Sequence, residues 1–183
     1  MKRICVFCGS HAGHDPAYAD AAREAAQAIV AAGYGVVYGG GGVGLMKVVA
    51  DAALEAGGEV IGVIPRALAR TEMAHRGLTQ LHVVETMHER KAMMDELSDA
   101  FVALPGGFGT MDEFCEALTW RELRIHDKPI GLLNVLGYYD ALLAFFDSMV
   151  ARGFVGPHTR GLFVDATTIA ELLPGMFAER NLP

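Results

Sequence analysis

Short apolar runs recur along the chain, and glycine, proline or polar residues flank most of them. Such runs are typical of β-strands that are buried on both faces of a sheet. Segments with apolar residues at every third or fourth position lie between most of these runs and indicate helices. The predicted strands are Arg3–Cys8, Gly35–Tyr38, Glu59–Ile64, Leu81–Val84, Ala100–Leu104, Ile130–Asn134 and Leu162–Val164.

Helical periodicity is clearest over Leu45–Ala56, Met87–Leu97 and Phe114–Leu123. Alternation of strands with helices predicts an α/β fold, namely a doubly wound, Rossmann-like and mostly parallel sheet with helices on both faces. No internal repeat and no linker rich in glycine, proline or serine divides the chain. We therefore expect residues 1–183 to form a single domain.

One junction between a predicted strand and a predicted helix is rich in glycine. Residues Pro105–Glu113 read P-G-G-F-G-T-M-D-E and precede the helix that begins near Phe114. Glycine lets a backbone approach a phosphate closely, and a helix N-terminus presents free N–H groups and a positive dipole end. Thr110 can cap this helix or bond a phosphate oxygen, and Glu113 falls in the first turn. The segment therefore predicts an anion site with a carboxylate beside it.

The same residues admit a purely structural interpretation. Thr110-x-x-Glu113 matches a capping box, in which the two side chains satisfy helix N–H groups and carry no chemistry. A cap does not require three glycines, however, so the glycines favour the anion site.

A second glycine cluster follows the second predicted strand and opens the next helix. It reads G-G-G-G-V-G, and Gly40, Gly41 and Gly44 are candidates for a phosphate-binding loop. Ser10, at the end of the first strand, adds a small hydroxyl group. Because the carboxyl ends of parallel strands meet at one edge of a sheet, we expect these loops to gather there.

Composition narrows the function classes. The net charge is −7, whereas a general nucleic-acid binder presents a basic face, so no nucleic-acid partner is expected. No apolar run approaches the length of a membrane span, and the first residues lack a signal-peptide cleavage pattern. We therefore expect a cytoplasmic protein that acts on a small molecule and has no membrane partner.

Cysteine and histidine spacing gives no sign of a metal or redox centre. Cys5 and Cys8 form C-x-x-C inside a predicted strand, where their offset places them on opposite faces. Cys115 is expected in the core. His11 and His14 are not accompanied by a histidine motif typical of zinc hydrolases. We expect no metal and no cofactor, and no lysine stands out as an anchor for pyridoxal phosphate.

Two glycine motifs and a basic motif between them resemble the LOG (Lonely Guy) family of cytokinin riboside 5′-monophosphate phosphoribohydrolases. The motifs are G-G-G-x-x-G-L-M, M-H-E-R-K and P-G-G-x-G-T-x-x-E, and the resemblance extends over nearly the whole chain. Members of this family have often been labelled lysine decarboxylases. The resemblance implies hydrolysis of the N-glycosidic bond of adenosine 5′-monophosphates, N6-modified or plain, which releases the free base and ribose 5-phosphate. It also implies a role in cytokinin biosynthesis and a homodimer with sites near the interface.

By this resemblance, Arg90 and Glu113 match the catalytic pair of the family. The positions that match its substrate contacts are Glu72, Lys91, Gly107, Phe108, Gly109, Thr110, Met111, Asp112 and Thr119. Taken alone, Arg90 would be assigned to a solvated helix face and Thr119 to a neutral helical position. Glu72 belongs to an irregular polar stretch, residues 65–78, which is either a substrate loop or an ordinary solvated loop.

Cleavage of a ribosyl–base bond would give these residues separate tasks. The glycine loops and Thr110 would hold the phosphate, so that binding energy positions the sugar. Glu113 would stabilise an oxocarbenium-like transition state or activate water, in an ionised form that a helix N-terminus favours. Arg90 would supply charge and orientation, because a guanidinium stays protonated and cannot act as a general acid. Lys47, which departs from the family pattern, is expected on the helix surface.

Three other functions fit parts of the sequence. A nicotinamide oxidoreductase would explain Gly39-x-Gly41-x-x-Gly44, but the acidic residue that should end the next strand is missing. A metal hydrolase would require a ligand cluster that the histidines do not form. The main alternative is a non-catalytic nucleotide or molybdenum-cofactor carrier of the same fold, although a carrier would not need Arg90 and Glu113.

Overall fold

Seven strands form one sheet in this computed structural model, which describes residues 1–69 and 74–178. Every predicted strand is present, with bounds that move by at most two residues, and neighbouring strands are parallel throughout. The strands are β1 (Arg3–Phe7), β2 (Gly35–Tyr38), β3 (Val60–Pro65), β4 (Gln80–Val84), β5 (Ala100–Ala103), β6 (Ile130–Leu133) and β7 (Val164–Ala166).

Eight helices and a short 3₁₀ turn connect these strands within the described residues. The helices are α1 (Ala17–Ala31), α2 (Gly44–Glu55), α3 (Arg66–Ala69), α4 (Met87–Glu96), α5 (Phe108–Glu122), α6 (Asp140–Ala151), α7 (Pro157–Arg160) and α8 (Ile169–Phe177), and the 3₁₀ turn is Val135–Gly137. In residues 1–69 and 74–178, none of the helices has both the length and the apolar character that crossing a bilayer requires.

The strand order β4-β3-β2-β1-β5-β6-β7 confirms the predicted doubly wound fold. The chain proceeds from β1 to β4 on one side of the sheet and then returns to place β5 on the other side of β1. The loops after β1 and β5 therefore lead away in opposite directions and leave a crevice between them. Ligands of open α/β sheets bind at this topological switch point. The P-G-G-F-G-T motif directly follows β5 and so lies at the crevice.

Helices cover both faces of the sheet, and successive strand residues point to alternate faces. Tyr38 belongs to the core formed with α1, α2 and α8, whereas Val37 belongs to the core formed with α4, α5 and α6. Cys5 and Cys8 are divided between these two cores as predicted, and both are buried. Cys115 is exposed on α5, so its assignment to the core is wrong. That side chain lies on the outer side of the helix.

Candidate active site

A buried ion pair joins α4 to α5 at the carboxyl edge of the sheet. Arg90 Nη1 lies 3.2 Å from Glu113 Oε1, and the two side chains are only 10% and 9% exposed. Arginine and glutamate are almost never buried without a partner of opposite charge. The assignment of Arg90 to a solvated helix face is therefore wrong, because the side chain points from α4 into the interior.

Backbone carbonyls of β3 and of the residue after β2 hold the rest of the guanidinium. Arg90 Nε donates a hydrogen bond to Val63 O of β3 at 3.2 Å, and Nη2 donates to Gly39 O, just after β2, at 3.4 Å. A Cβ atom on Gly39 would lie 2.1 Å from Nη2. Glycine at position 39 thus provides the space for Arg90, a role that the sequence motif did not indicate.

The glycine turn after β5 winds directly into α5. Gly107 is the N-cap, so Thr110 is the third residue of the helix and Glu113 the sixth, and no side chain caps the helix. The capping-box interpretation is therefore wrong, as is the placement of Glu113 in the first turn. The apolar pattern begins only at Phe114 because Phe108 and Met111, the two apolar residues before it, are separated by glycine and threonine, and Phe108 is exposed.

The environment of Glu113 changes its acidity. Burial raises the pKa of Glu113 to about 7, although the charge of Arg90 lowers it. The expectation that the helix N-terminus keeps this group ionised is corrected, because the loss of water around a buried carboxylate outweighs the favourable charges. A carboxyl group with this pKa exchanges its proton near neutral pH, as a general base or acid must.

The first amide groups of α5 are open to a ligand. Among the described residues, no acceptor meets the N–H groups of Phe108, Gly109 or Thr110. A Cβ atom on Gly107 or Gly109 would meet no other atom within 4 Å, and neither residue has a positive φ. Internal packing therefore explains neither glycine, whereas close approach of a ligand to the backbone explains both.

The start of α2 is different, because its amides are already bonded. Leu45 N and Met46 N donate to Gly9 O at 3.0 and 3.3 Å. These two N–H groups are therefore engaged within the protein and do not face an anion. Lys47 pairs with Asp51 on the exposed side of α2, as predicted for a surface lysine.

Each glycine of the second cluster that was a phosphate-loop candidate has a structural role. Gly40 and Gly44 have positive φ angles of 75° and 58°. A Cβ atom on Gly44 would lie 2.3 Å from the backbone of Ser10. Gly41 forms an isolated antiparallel bridge with Ala74. Backbone conformation and close packing thus account for Gly40 and Gly44, and phosphate binding by the three glycines stays a prediction.

A cavity of about 240 Å³ opens beside the start of α5. Ser10 and His11 line it after β1, and Gly106 and Gly107 line it after β5. Tyr138 completes the wall and donates a hydrogen bond to Gly106 O at 2.6 Å. Ser10 therefore lies at the predicted sheet edge. Tyr138 follows a predicted strand closely, and no role was expected for its side chain.

Lys91 forms ion pairs with two carboxylates of α5. Its Nζ lies 2.8 Å from Glu116 Oε2 and 3.1 Å from Asp112 Oδ2. Together with Arg90 and Glu113, these residues form a cluster of two cations and three anions. Across the described part of the chain, no three His, Cys, Asp or Glu side chains converge in a way that could hold a metal ion.

The remaining predicted contacts are spread over different surfaces. Phe108 is 97% exposed at the start of α5, and Met111 is partly buried against the core. Thr119 is exposed, and its hydroxyl donates to Cys115 O on the outer side of α5. The structure therefore does not bring Thr119 together with the buried ion pair. Glu72 lies outside the described residues.

Known proteins share most of this sequence. Residues 46–176 match a family model described as possible lysine decarboxylase. A rice protein (Oryza sativa subsp. japonica) named as a probable cytokinin riboside 5′-monophosphate phosphoribohydrolase is 53% identical over 174 residues, covering 95% of this chain and 78% of the relative. A cytokinin riboside 5′-monophosphate phosphoribohydrolase of Arabidopsis thaliana is 49% identical over 173 residues, covering 94% of this chain and 81% of the relative. The chain belongs to the LOG family.

Solved structures outside these named LOG enzymes have the same fold. The molybdenum cofactor carrier protein of Chlamydomonas reinhardtii superimposes with a TM-score of 0.72 and 26% identity, covering 96% of this chain and 95% of the carrier. A molybdenum cofactor binding protein of Rippkaea orientalis gives 0.71 and 21% identity, covering 97% and 99%. These carriers are more distant in sequence than the LOG enzymes, and the second shows the fold alone.

Proposed function

We propose that this protein hydrolyses the N-glycosidic bond of adenosine 5′-monophosphates, N6-modified or plain, and releases the free base and ribose 5-phosphate. The observation that carries the proposal is the buried Arg90–Glu113 pair beside the open amide groups of α5. Membership of the LOG family supports the same reaction, because the named relatives are phosphoribohydrolases. From an N6-prenylated substrate, the released base is a cytokinin.

The phosphate is proposed to bind at the start of α5. The helix dipole and the unbonded N–H groups of Phe108–Thr110 favour an anion there, and the open space beside Gly107 and Gly109 admits it. Ser10 lines the adjoining cavity and offers a hydroxyl group. Phosphate binding at this point would hold the ribose in place next to Glu113, so that binding energy orients the bond to be broken.

Glu113 is proposed to act at the anomeric carbon. Its carboxylate would stabilise the positive charge that develops on the ribose or accept a proton from the attacking water. In the overall step, water forms a new C1′–O bond while the C1′–N9 bond breaks. The electron pair of that bond leaves with the base, which takes up one proton. Arg90 would hold the carboxylate in place and stay protonated throughout.

The other predicted substrate contacts differ in how close they lie to Glu113. Lys91, Met111 and Asp112 flank Glu113 on α4 and α5 and are proposed as substrate-side residues. Thr119 would contribute only if two protomers shared a site, because it lies on the outer side of α5. We propose that residues 1–183 form a single domain that acts in the cytoplasm.

A homodimer is also proposed, because the resemblance to the LOG family implies one. Phe108 and Phe154 are 97% and 82% exposed and are large apolar side chains that a partner could cover. Light scattering at micromolar concentration should give about twice the mass of 19.5 kDa. A mass near that of one chain would contradict the dimer.

Product analysis by chromatography tests the reaction. AMP, N6-prenylated AMP, IMP, GMP and the corresponding nucleosides are each incubated with the protein. We expect equal amounts of free base and ribose 5-phosphate from the adenosine monophosphates and little base from the nucleosides. Comparable rates on adenosine and AMP would contradict phosphate anchoring. Failure to release base from any monophosphate would favour a carrier, the second candidate, which the Chlamydomonas carrier of the same fold supports.

A further inference from the structure

Glu116 lies one helical turn after Glu113 and binds the lysine that follows Arg90. Lys91 Nζ lies 2.8 Å from Glu116 Oε2, and these side chains are 17% and 27% exposed. Two consecutive residues of α4 thus pair with three carboxylates of α5, since Lys91 also lies 3.1 Å from Asp112 Oδ2. The catalytic pair proposed above has a second, less buried ion pair directly beside it.

Lys91, Glu113 and Glu116 line one small cavity together with apolar side chains of the core. Its volume is about 20 Å³, enough for one water molecule. Lys91, Asp95, Glu113 and Glu116 form its polar lining, and the other lining side chains are apolar or aromatic. Because Glu113 is buried and Lys91 and Glu116 are mostly buried, their charges interact more strongly than charges on an open surface.

The charged and titratable groups around Glu113 come from three elements. They are Arg90, Lys91 and Asp95 on α4, Asp112 and Glu116 on α5, and the thiols of Cys5 and Cys8 on and just after β1. Burial raises the pKa of both thiols, so these two groups stay neutral near pH 7. The ionised neighbours of Glu113 are therefore the cations of α4 and the carboxylates.

We propose that Glu116 is a positioning residue that, together with Asp112, holds the ammonium group of Lys91 near Glu113, and that the opposite charges of Lys91 and Glu116 balance each other in their effect on proton uptake and release by Glu113. Lys91 and Glu116 act in opposite directions: the cation favours the carboxylate form of Glu113, and the anion favours the acid form. The consequence for catalysis rests on the proposed hydrolysis, whereas the charge coupling is a property of the free protein.

The expected shifts have opposite signs. Glu116→Gln removes a negative charge while Asp112 continues to pair with Lys91, so the titration of Glu113 should move to lower pH by about half a unit. Lys91→Met removes a positive charge and should move the titration to higher pH by a similar amount. The double variant should lie near the wild type, because the two changes oppose each other. A merely structural contact would not produce opposite shifts.

The experiment measures Glu113 directly in the free protein. Glutamate carboxyl carbons are labelled with ¹³C and titrated by NMR, and Glu113→Gln identifies the signal. The pH profile of kcat/KM on AMP is recorded for the same variants, and its acidic limb should move with the NMR titration. Glu96→Gln, at the exposed end of α4, makes the same charge change as Glu116→Gln and should leave both readouts unchanged. Glu116→Asp keeps the charge and should restore the wild-type titration.

Equal titrations in all variants, or shifts of the same sign in Glu116→Gln and Lys91→Met, would overturn this inference. Opposite NMR shifts in a protein that releases no base would support the coupling and contradict the proposed hydrolysis. If Glu116→Gln does not fold, Lys91→Met and Glu116→Asp decide the question. The inference is supported if Glu113 titrates at a higher pH in Lys91→Met and at the wild-type pH in Glu116→Asp. An unchanged titration in Lys91→Met overturns it.

Discussion

Gly39 leaves the space that the Arg90 guanidinium occupies, since a Cβ atom at position 39 would lie 2.1 Å from Arg90 Nη2. The backbone of the same glycine accepts a hydrogen bond from that nitrogen. Arg90 also donates to Val63 O and pairs with Glu113, so one guanidinium links the ends of β2 and β3 to α5. The geometry of the proposed catalytic pair therefore depends on a residue without a side chain.

Gly39→Ala should displace Arg90 and abolish most of the activity. We expect turnover of AMP to fall by about 10²-fold or more, because misplacement of a charged partner by about 1 Å has effects of this size. Turnover is measured by base release, and folding by circular dichroism. Gly175→Ala is the matched control on α8, where a new Cβ would approach only a methyl group of Val164. Wild-type turnover in Gly39→Ala would show that Arg90 tolerates displacement.

Glu113→Gln tests whether the charge of Glu113 is needed. The change keeps size and hydrogen-bonding capacity, so the fold should persist, while turnover should fall by about 10²-fold or more. Base release and the melting temperature are compared with those of Glu122→Gln, the same change on the exposed side of α5. Turnover near that of the wild type would leave the hydrolase proposal without its central residue.

The pH dependence of activity should follow the ionisation of Glu113. Burial raises its pKa to about 7, so the ionised form that the reaction requires is lost as the pH falls through this value. We therefore expect kcat/KM on AMP to decline on the acidic side of about pH 7, rather than near the pKa of an exposed glutamate, about 4.3. An activity that stays constant from pH 7 down to about pH 5 would contradict this assignment.

The contribution of Glu113 to the free energy of unfolding should decrease as the pH rises, whereas activity should increase. Because the pKa of Glu113 is raised on folding, the folded state binds the proton more tightly than the unfolded chain does. This contribution is fully present below the unfolded pKa and is lost as the pH rises through about 7. Relative to the wild type, Glu113→Gln should gain up to roughly 3 kcal/mol of unfolding free energy between about pH 5 and pH 8. Urea unfolding at both pH values measures the difference, and an equal ΔΔG at both would contradict the raised pKa.

Two neighbouring glycines should respond differently to alanine. A Cβ on Gly106 would lie 2.1 Å from Thr110 Oγ1 and 2.9 Å from Gly9 N, so Gly106→Ala should lower the melting temperature. Gly107→Ala meets no atom, so its melting temperature should match the wild type while KM for AMP rises about 10-fold from the lost approach to phosphate. Thermal unfolding and initial rates distinguish the two. A wild-type KM in Gly107→Ala would place the phosphate elsewhere.

The predicted strands and the glycine junction after β5 agree with the structure because their signals are local. A run of apolar residues bounded by glycine and proline describes a strand without reference to distant parts of the chain. The start of α5 was misplaced for a related reason. The turn Phe108–Met111 carries too little apolar periodicity to indicate a helix, and only the hydrogen bonds of the folded backbone reveal one.

The alternation of strands and helices, the glycine turn after β5 and the motifs that contain Arg90 and Glu113 can be recognised from the order of residues alone. The burial of Arg90, the space that Gly39 leaves for it and the raised pKa of Glu113 appear only in the folded chain. The bonds from Arg90 to Val63 and Gly39 span 27 and 51 residues. Burial and charge environment arise from such distant contacts, and local patterns of apolar and polar residues do not record which distant groups will meet.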